Sequence, residues 1–205
     1  MNHKVNSVQA LHDDAYGLYN NVVIGGGDYS ADTIIANLAS GIQILKGCWE
    51  GKDAGVQIEN IVKVHNAMVG IRNSLAVLAT ESSKIAANYR EIQNSNGAGL
   101  EAFGAISCEN KTIMEDYTDT RDSVGITPEA SNGKAKIDAA NGSIDSFISE
   151  VKKYYNSIME NWTAGTGREN AQESFDTFIS NSNVYKETLA TASASITTAI
   201  QNYTF

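Results

Sequence analysis

The residues in this chain that could do chemistry are few, and their spacing assembles no reactive group. The histidines are His3, His12 and His65. A helical metal site needs a second ligand three or four positions away on the same face, and no Glu-X-X-His occurs. His12-Asp13-Asp14 reads as solvated surface, and His65 as a partly buried, hydrogen-bonded side chain beside an apolar seam. Cys48 and Cys108 match no metal or redox spacing, and a disulfide between them stays open. Gly25-Gly26-Gly27 is not a phosphate loop, because no strand leads into it and no Gly-Lys-Ser/Thr follows. In Gly51-Lys52-Asp53 an Asp stands where a magnesium-binding hydroxyl would be needed. No Ser or Thr has a discernible His–acid partner. The expectation is a protein that is not an enzyme and that holds no metal or cofactor.

Bulk properties narrow the classes further. With 205 residues and 42% hydrophobic content the chain can bury a core. Its net charge of -9 gives no basic patch with which to release counterions from phosphate, so nucleic acid is not an expected partner. Lys and Arg are scattered singly, which argues against a polybasic membrane surface. The apolar runs are a few residues long against the roughly 20 needed to cross a bilayer, so stable membrane insertion is not expected. The opening MNHKVNSVQALHDD has no apolar core followed by a small-residue cleavage site, so no conventional secretory signal is expected.

Hydrophobic periodicity supplies the elements. A single proline, Pro128, favours long helices over a turn-rich β fold. Ile61, Val64, Met68, Ile71, Leu75, Leu78, Ser82, Ile85, Tyr89 and Ile92 alternate steps of three and four, which predicts one helix over 55–93, about 57 Å long. Ile137, Ala140, Ile144, Phe147, Val151, Tyr154 and Ile158 predict a second. Ala171 through Phe175, Phe178, Leu189 and Ile196 to Tyr203 predict a third. A shorter helix over 31–48 has Ser30 as its cap. Val5, Val8, Ala15, Tyr19 and Val22 suggest an N-terminal helix broken by Gly25–Gly27. Residues 94–127 are the least periodic, and a short helix is expected somewhere in 100–123. Thr127-Pro128-Glu129 reads as a helix start. Glycines 41, 70 and 142 fall inside predicted helices, as close crossings or hinges.

Two indoles stand where the chain must reverse: in LKGCWEGKDAGVQI, residues 45–58, and in SIMENWTAGTGRENAQ, residues 157–172. Shifting the first half by about 113 positions lays Ile34 on Phe147, Leu38 on Val151 and Trp49 on Trp162. Beyond the tryptophans a shift of about 117 lays Ile58 on Phe175 and Ile61 on Phe178. The pattern reads as two copies of one unit, each a helix, a tryptophan turn and a helix. Gly51 and Gly165 would permit the reversal, with Asp53 and Thr166 capping the following helices and Thr166–Glu169 forming a capping box. Trp49 and Trp162 could offer a recognition surface, but capping the open end of a hairpin is the expected role.

With Trp49-Glu50-Gly51 between two amphipathic helices, the chain resembles the WXG proteins, helical hairpins of about half this length that are exported by type VII (ESX) secretion systems. The likeness extends over nearly the whole chain as two tandem copies. The second copy, Trp162-Thr163-Ala164-Gly165, is one residue longer than the motif. None of the nine tyrosines is followed four positions later by Asp or Glu, the export signal of some family members.

The expected architecture is therefore all-α. It comprises a first hairpin with its N-terminal helix (1–95), a connecting segment (96–127) and a second hairpin (128–205), packed as an elongated antiparallel four-helix bundle. The resemblance implies a bacterial secretion factor, exported without a cleavable signal peptide or acting as a helical adaptor for an exported toxin. Its implied partners are a secretion ATPase of the FtsK/SpoIIIE kind and a helical toxin or another WXG-like protein, with Trp49, Gly51, Trp162 and Gly165 as the turn motif they meet. Each chain is expected to be a monomeric pseudo-dimer, or less readily a dimer. The alternative is a cytoplasmic, non-enzymatic helical scaffold or regulatory bundle.

Overall fold

A computed structural model describes residues 5–163 and 165–203; His3, Ala164 and the side chain of Tyr203 lie outside the described residues. The fold is all-α. Its helices are α1 (Val8–Gly17), α2 (Ala31–Cys48), α3 (Lys52–Ser95), α4 (Ala130–Asn161) and α5 (Thr166–Tyr203). The described sheet is one antiparallel pair of two-residue strands, β1 (Trp49–Glu50) with β2 (Gly125–Ile126).

The N-terminal helix starts later than its apolar pattern suggests. Ser7 caps it, its hydroxyl accepting from the Ala10 amide at 3.2 Å, and Val5 lies outside it. After Gly17 the helix widens into a π turn, Leu18–Val23, closed where the Ile24 N–H donates to the Tyr19 carbonyl. Ser30 caps α2 as expected, accepting from the Thr33 amide at 3.2 Å. Asp53 and Thr166 are not caps: Gly51 precedes α3, and Thr166 is already the first residue of α5. Thr127–Glu129 is a turn leading into α4 rather than its first turn.

Packing follows the seams. α2 runs antiparallel along α4 and α3 antiparallel along α5, while α2 also contacts α3 and α4 contacts α5. Gly41 and Gly133 let α2 and α4 cross closely: a Cβ on Gly41 would stand 2.6 Å from Ile137 Cδ1 and 3.1 Å from the Gly133 carbonyl. Gly70 and Gly142 face open space and carry no such duty. Between α4 and α5, Phe147 meets Phe178 edge to face at 5.6 Å.

The α3 seam does not keep its register. Ile61, Met68, Leu75 and Leu78 are buried, but beyond Ser82 the buried face moves to Ser83, Ala86 and Arg90, leaving Ile92 57% exposed. A straight α-helix drifts about 20° per heptad against a strict seven-residue repeat. At that point the helix on its inner side changes from α5 to α1, since Arg90 donates to the Gln9 side chain at 2.7 Å.

The expected helix within 100–123 is absent. Residues 100–123 run extended and antiparallel to α3, their backbone groups bonded by α3 side chains.

Candidate functional site at the tryptophan corners

Trp49 ends α2 and has only 4% of its surface exposed. Its backbone pairs with Ile126, Glu50 pairs with Gly125, and the Thr127 N–H donates to the Cys48 carbonyl at 2.9 Å. Gly51 then turns the chain at φ 112, a left-handed conformation that a Cβ would strain. A Cβ there would also approach the Ser123 carbonyl to 2.7 Å. The Gly51 N–H donates to Asp119 at 3.0 Å. Arg121 binds the Asp119 carboxylate from its Nε and Nη2, and reaches Glu50 with Nη1 at 2.5 Å. Those bonds from Arg121 hold the Asp119 carboxyl well below the usual carboxylate range, and the carboxylate in turn raises Arg121.

Trp162 ends α4 and is 1% exposed. Its backbone also forms an antiparallel bridge, here with Val5, and the Asn6 N–H donates to the Asn161 carbonyl at 3.1 Å. Arg168 Nε donates to the Trp162 carbonyl at 2.8 Å. Gly165 is needed for room, because a Cβ there would run into the indole, with Cε2 only 3.1 Å away.

The bridges are reciprocal. The segment leading into α4 covers the α2–α3 corner, and the segment leading into α1 covers the α4–α5 corner. Each tryptophan thus lies beside its own glycine, but the two corners are far apart. Glu81 of α3 abuts Gly167 in the second corner, and the intervening turns of α3 span about 45 Å.

A half-open cleft of about 360 Å³ adjoins the first corner, lined by Cys48, Trp49, Arg121, Ile126 and Pro128. Burial pushes the Cys48 thiol up, away from the reactive thiolate. A groove of about 510 Å³ lies between the start of α3 and the end of α5, with Val56 and Val124 more than half exposed on its walls and Ala199 buried beneath. The chain matches no protein-family model, no curated protein and no solved structure. Among the described residues no three His, Cys, Asp or Glu side chains converge as metal ligands. Nor is any described helix long and apolar enough to cross a membrane. Burial pushes the His65 pKa down, and its Nδ1 pairs with Asn66 at 3.0 Å.

Sequence reasoning missed Asp119, Arg121 and Glu50 as a locking cluster and Ile126 as the partner of Trp49. A two-residue bridge has no periodicity to detect. The one usable signal was that Ile126 precedes the α4 start by the same kind of short interval that separates Val5 from α1.

Proposed function

We propose that this chain is a tandem WXG-like factor of type VII secretion, two helical hairpins fused into one antiparallel four-helix bundle. It is exported, or accompanies an exported helical toxin, and performs no chemistry. The observation that supports this reading is the corner itself. In Trp49-Glu50-Gly51 the indole closes the end of the hairpin and the glycine supplies the backbone angle that reverses the chain. A second, looser copy does the same at Trp162 and Gly165. Because both indoles are buried, recognition by a secretion ATPase of the FtsK/SpoIIIE kind falls to what surrounds them, and the Val56–Val124 groove beside the first corner is the apolar surface for a partner helix.

The test is export. A tagged chain expressed in a bacterium with a type VII system is expected in the culture medium, and to disappear from it when the ATPase is deleted. A chain that stays in the cells with the ATPase present overturns the reading. It would leave the cytoplasmic scaffold, which the same burial of both indoles favours. Light scattering is expected to give the mass of one chain, since each hairpin covers the apolar seam of the other.

A further inference from the structure

Asn is followed by Gly at three places: Asn96-Gly97, Asn132-Gly133 and Asn141-Gly142. An Asn-Gly pair can react with itself. Gly lacks the Cβ that would shield its nitrogen, so that nitrogen can reach the side-chain carbonyl carbon of the Asn before it. The chemistry is the same at all three pairs, and what differs is the backbone that holds each one.

Two of the pairs are locked in α4. Rotating Asn141 far enough to react breaks the hydrogen-bond ladder in the middle of that helix. Its Nδ2 also donates to the Lys186 carbonyl of α5 at 3.2 Å. Gly133 is buried at the crossing with α2, where a Cβ would stand 3.0 Å from Leu45 Cγ and 3.2 Å from the Gly41 carbonyl.

Asn96-Gly97 is placed differently. Asn96 is the exposed residue that ends α3, and Gly97 follows in the left-handed conformation, φ 89, with open space around it. The Gly97 N–H donates to the Asn94 carbonyl at 2.9 Å and the Ala98 N–H to the Gln93 carbonyl at 3.1 Å, a glycine-terminated helix cap. Rotating Asn96 out of ψ 12 releases those two bonds and leaves the rest of α3 in place. Helix ends open at little cost in free energy, whereas interior segments open only at a cost approaching that of global unfolding. The neighbouring Asn94 is not equivalent, because Leu100 engages both ends of its carboxamide, at 2.7 and 2.8 Å.

We propose that Asn96-Gly97 is a site of self-modification, converting to isoaspartate and aspartate in the folded chain while Asn132 and Asn141 are protected. The Gly97 nitrogen, having lost its proton to solvent, attacks Asn96 Cγ. The N–Cγ bond forms, the Cγ–Nδ2 bond breaks, and Nδ2 leaves as ammonia with a proton taken from water. Water then opens the cyclic imide. Opening at Cγ gives aspartate; opening at the main-chain carbonyl gives isoaspartate, in which the chain runs through Cβ and Cγ. Either product sets a carboxylate beside the last carbonyls of α3, the negative end of the helix dipole. Isoaspartate also lengthens the chain between Asn94 and the Leu100 that it clasps, loosening the entry to segment 100–123. The reaction is independent of export.

The test incubates the full chain in mildly alkaline buffer, folded and in parallel unfolded in urea. Isoaspartate is labelled with an isoaspartyl methyltransferase and located by peptide fragmentation. In the folded chain Asn96 should convert at least about tenfold faster than Asn132 or Asn141, and in urea the three rates should converge to within a few-fold. Asn96→Gln, whose longer side chain closes a larger ring, should remove the label from the folded chain. In the converted chain the Leu100 amide should lose hydrogen-exchange protection while the Ile106 amide, held by Ser83, keeps its own. Equal rates at the three pairs in the folded chain overturn the proposal, as does an Asn96 that reacts in urea but not in the folded chain. Unchanged protection at Leu100 in the converted chain overturns the loosening.

Discussion

The two tryptophan corners meet the same physical need by different means. Both end a helix on a buried indole, and both borrow a short antiparallel bridge from the other half of the chain. At the first corner the constraint lies in the backbone: one glycine at φ 112, the Ser123 carbonyl pressed against it, and the Asp119–Arg121–Glu50 cluster holding the turn. At the second corner the loop is longer, and Gly165 both takes a positive φ of 158 and makes room for the indole face. A Trp-X-Gly spacing is thus what results when the reversal is tightest. One more residue moves the glycine's φ from 112 toward the extended range and adds a demand for space.

The largest effects should come from the indoles. Trp162→Ala and Trp49→Ala are each expected to cost about 3–5 kcal/mol in urea unfolding, from lost burial and the cavity left behind. Similar losses would uphold the equivalence of the corners. A Trp49→Ala cost below about 1 kcal/mol, beside a full cost at Trp162, would show that the β1–β2 pair and the ion cluster hold the first corner without its indole.

The glycines separate the two mechanisms. Gly51→Ala is expected to cost about 2–3 kcal/mol, chiefly from backbone strain, and Gly165→Ala about 1–3 kcal/mol, chiefly from overpacking with a smaller share from its positive φ. The double variants decide between them. Trp162→Leu should relieve the share of the Gly165→Ala cost that comes from the clash with the ring, leaving the share due to φ. Trp49→Leu should leave the Gly51→Ala cost unchanged. Gly142→Ala, in open space inside α4, serves as the control and should stabilise by about 0.5–1 kcal/mol. Equal relief at both corners would remove the distinction drawn between them.

How much of this could be read in advance follows from the range of each interaction. The long helices were legible because burial on one face imposes steps of three and four, and Ile61 through Leu78 or Ala171 through Phe178 keep them. The positions of both tryptophans between helices were legible for the same reason. Ile92 misled because a heptad pattern continues in sequence after the neighbouring helix has changed. The segment 100–123 misled because an extended chain held by side chains has neither the helical nor the strand period. Its signature was a spacing of three, Lys111, Met114 and Tyr117, matched to a spacing of seven, Glu59, Asn66 and Asn73. Neither spacing means anything until the two segments are placed side by side.

The smallest expected effect tests the ion cluster, which among the described residues belongs to the first corner. The chain has two tryptophans, so Trp162→Phe leaves Trp49 as sole reporter and Trp49→Phe leaves Trp162. The Asp119 carboxyl is held below its ordinary value of 3.8 chiefly by Arg121, so above about pH 4 it is charged in both the folded and unfolded chain. As the pH falls below 3.8 the unfolded chain takes up the proton first, and the stability this group contributes is lost progressively. Protonation also weakens the acceptor for the Gly51 amide, at the tightest point of the turn. Trp49 emission should therefore shift to the red at a higher pH than Trp162 emission. Asp119→Asn should remove that interval by loosening the first corner at neutral pH as well. Added salt should narrow it, since Arg121 is about half exposed and its attraction is partly screened. Should both reporters move together in the presence of the intact carboxylate, the cluster contributes nothing local, and the first corner rests on Gly51 and the Ile126 bridge alone.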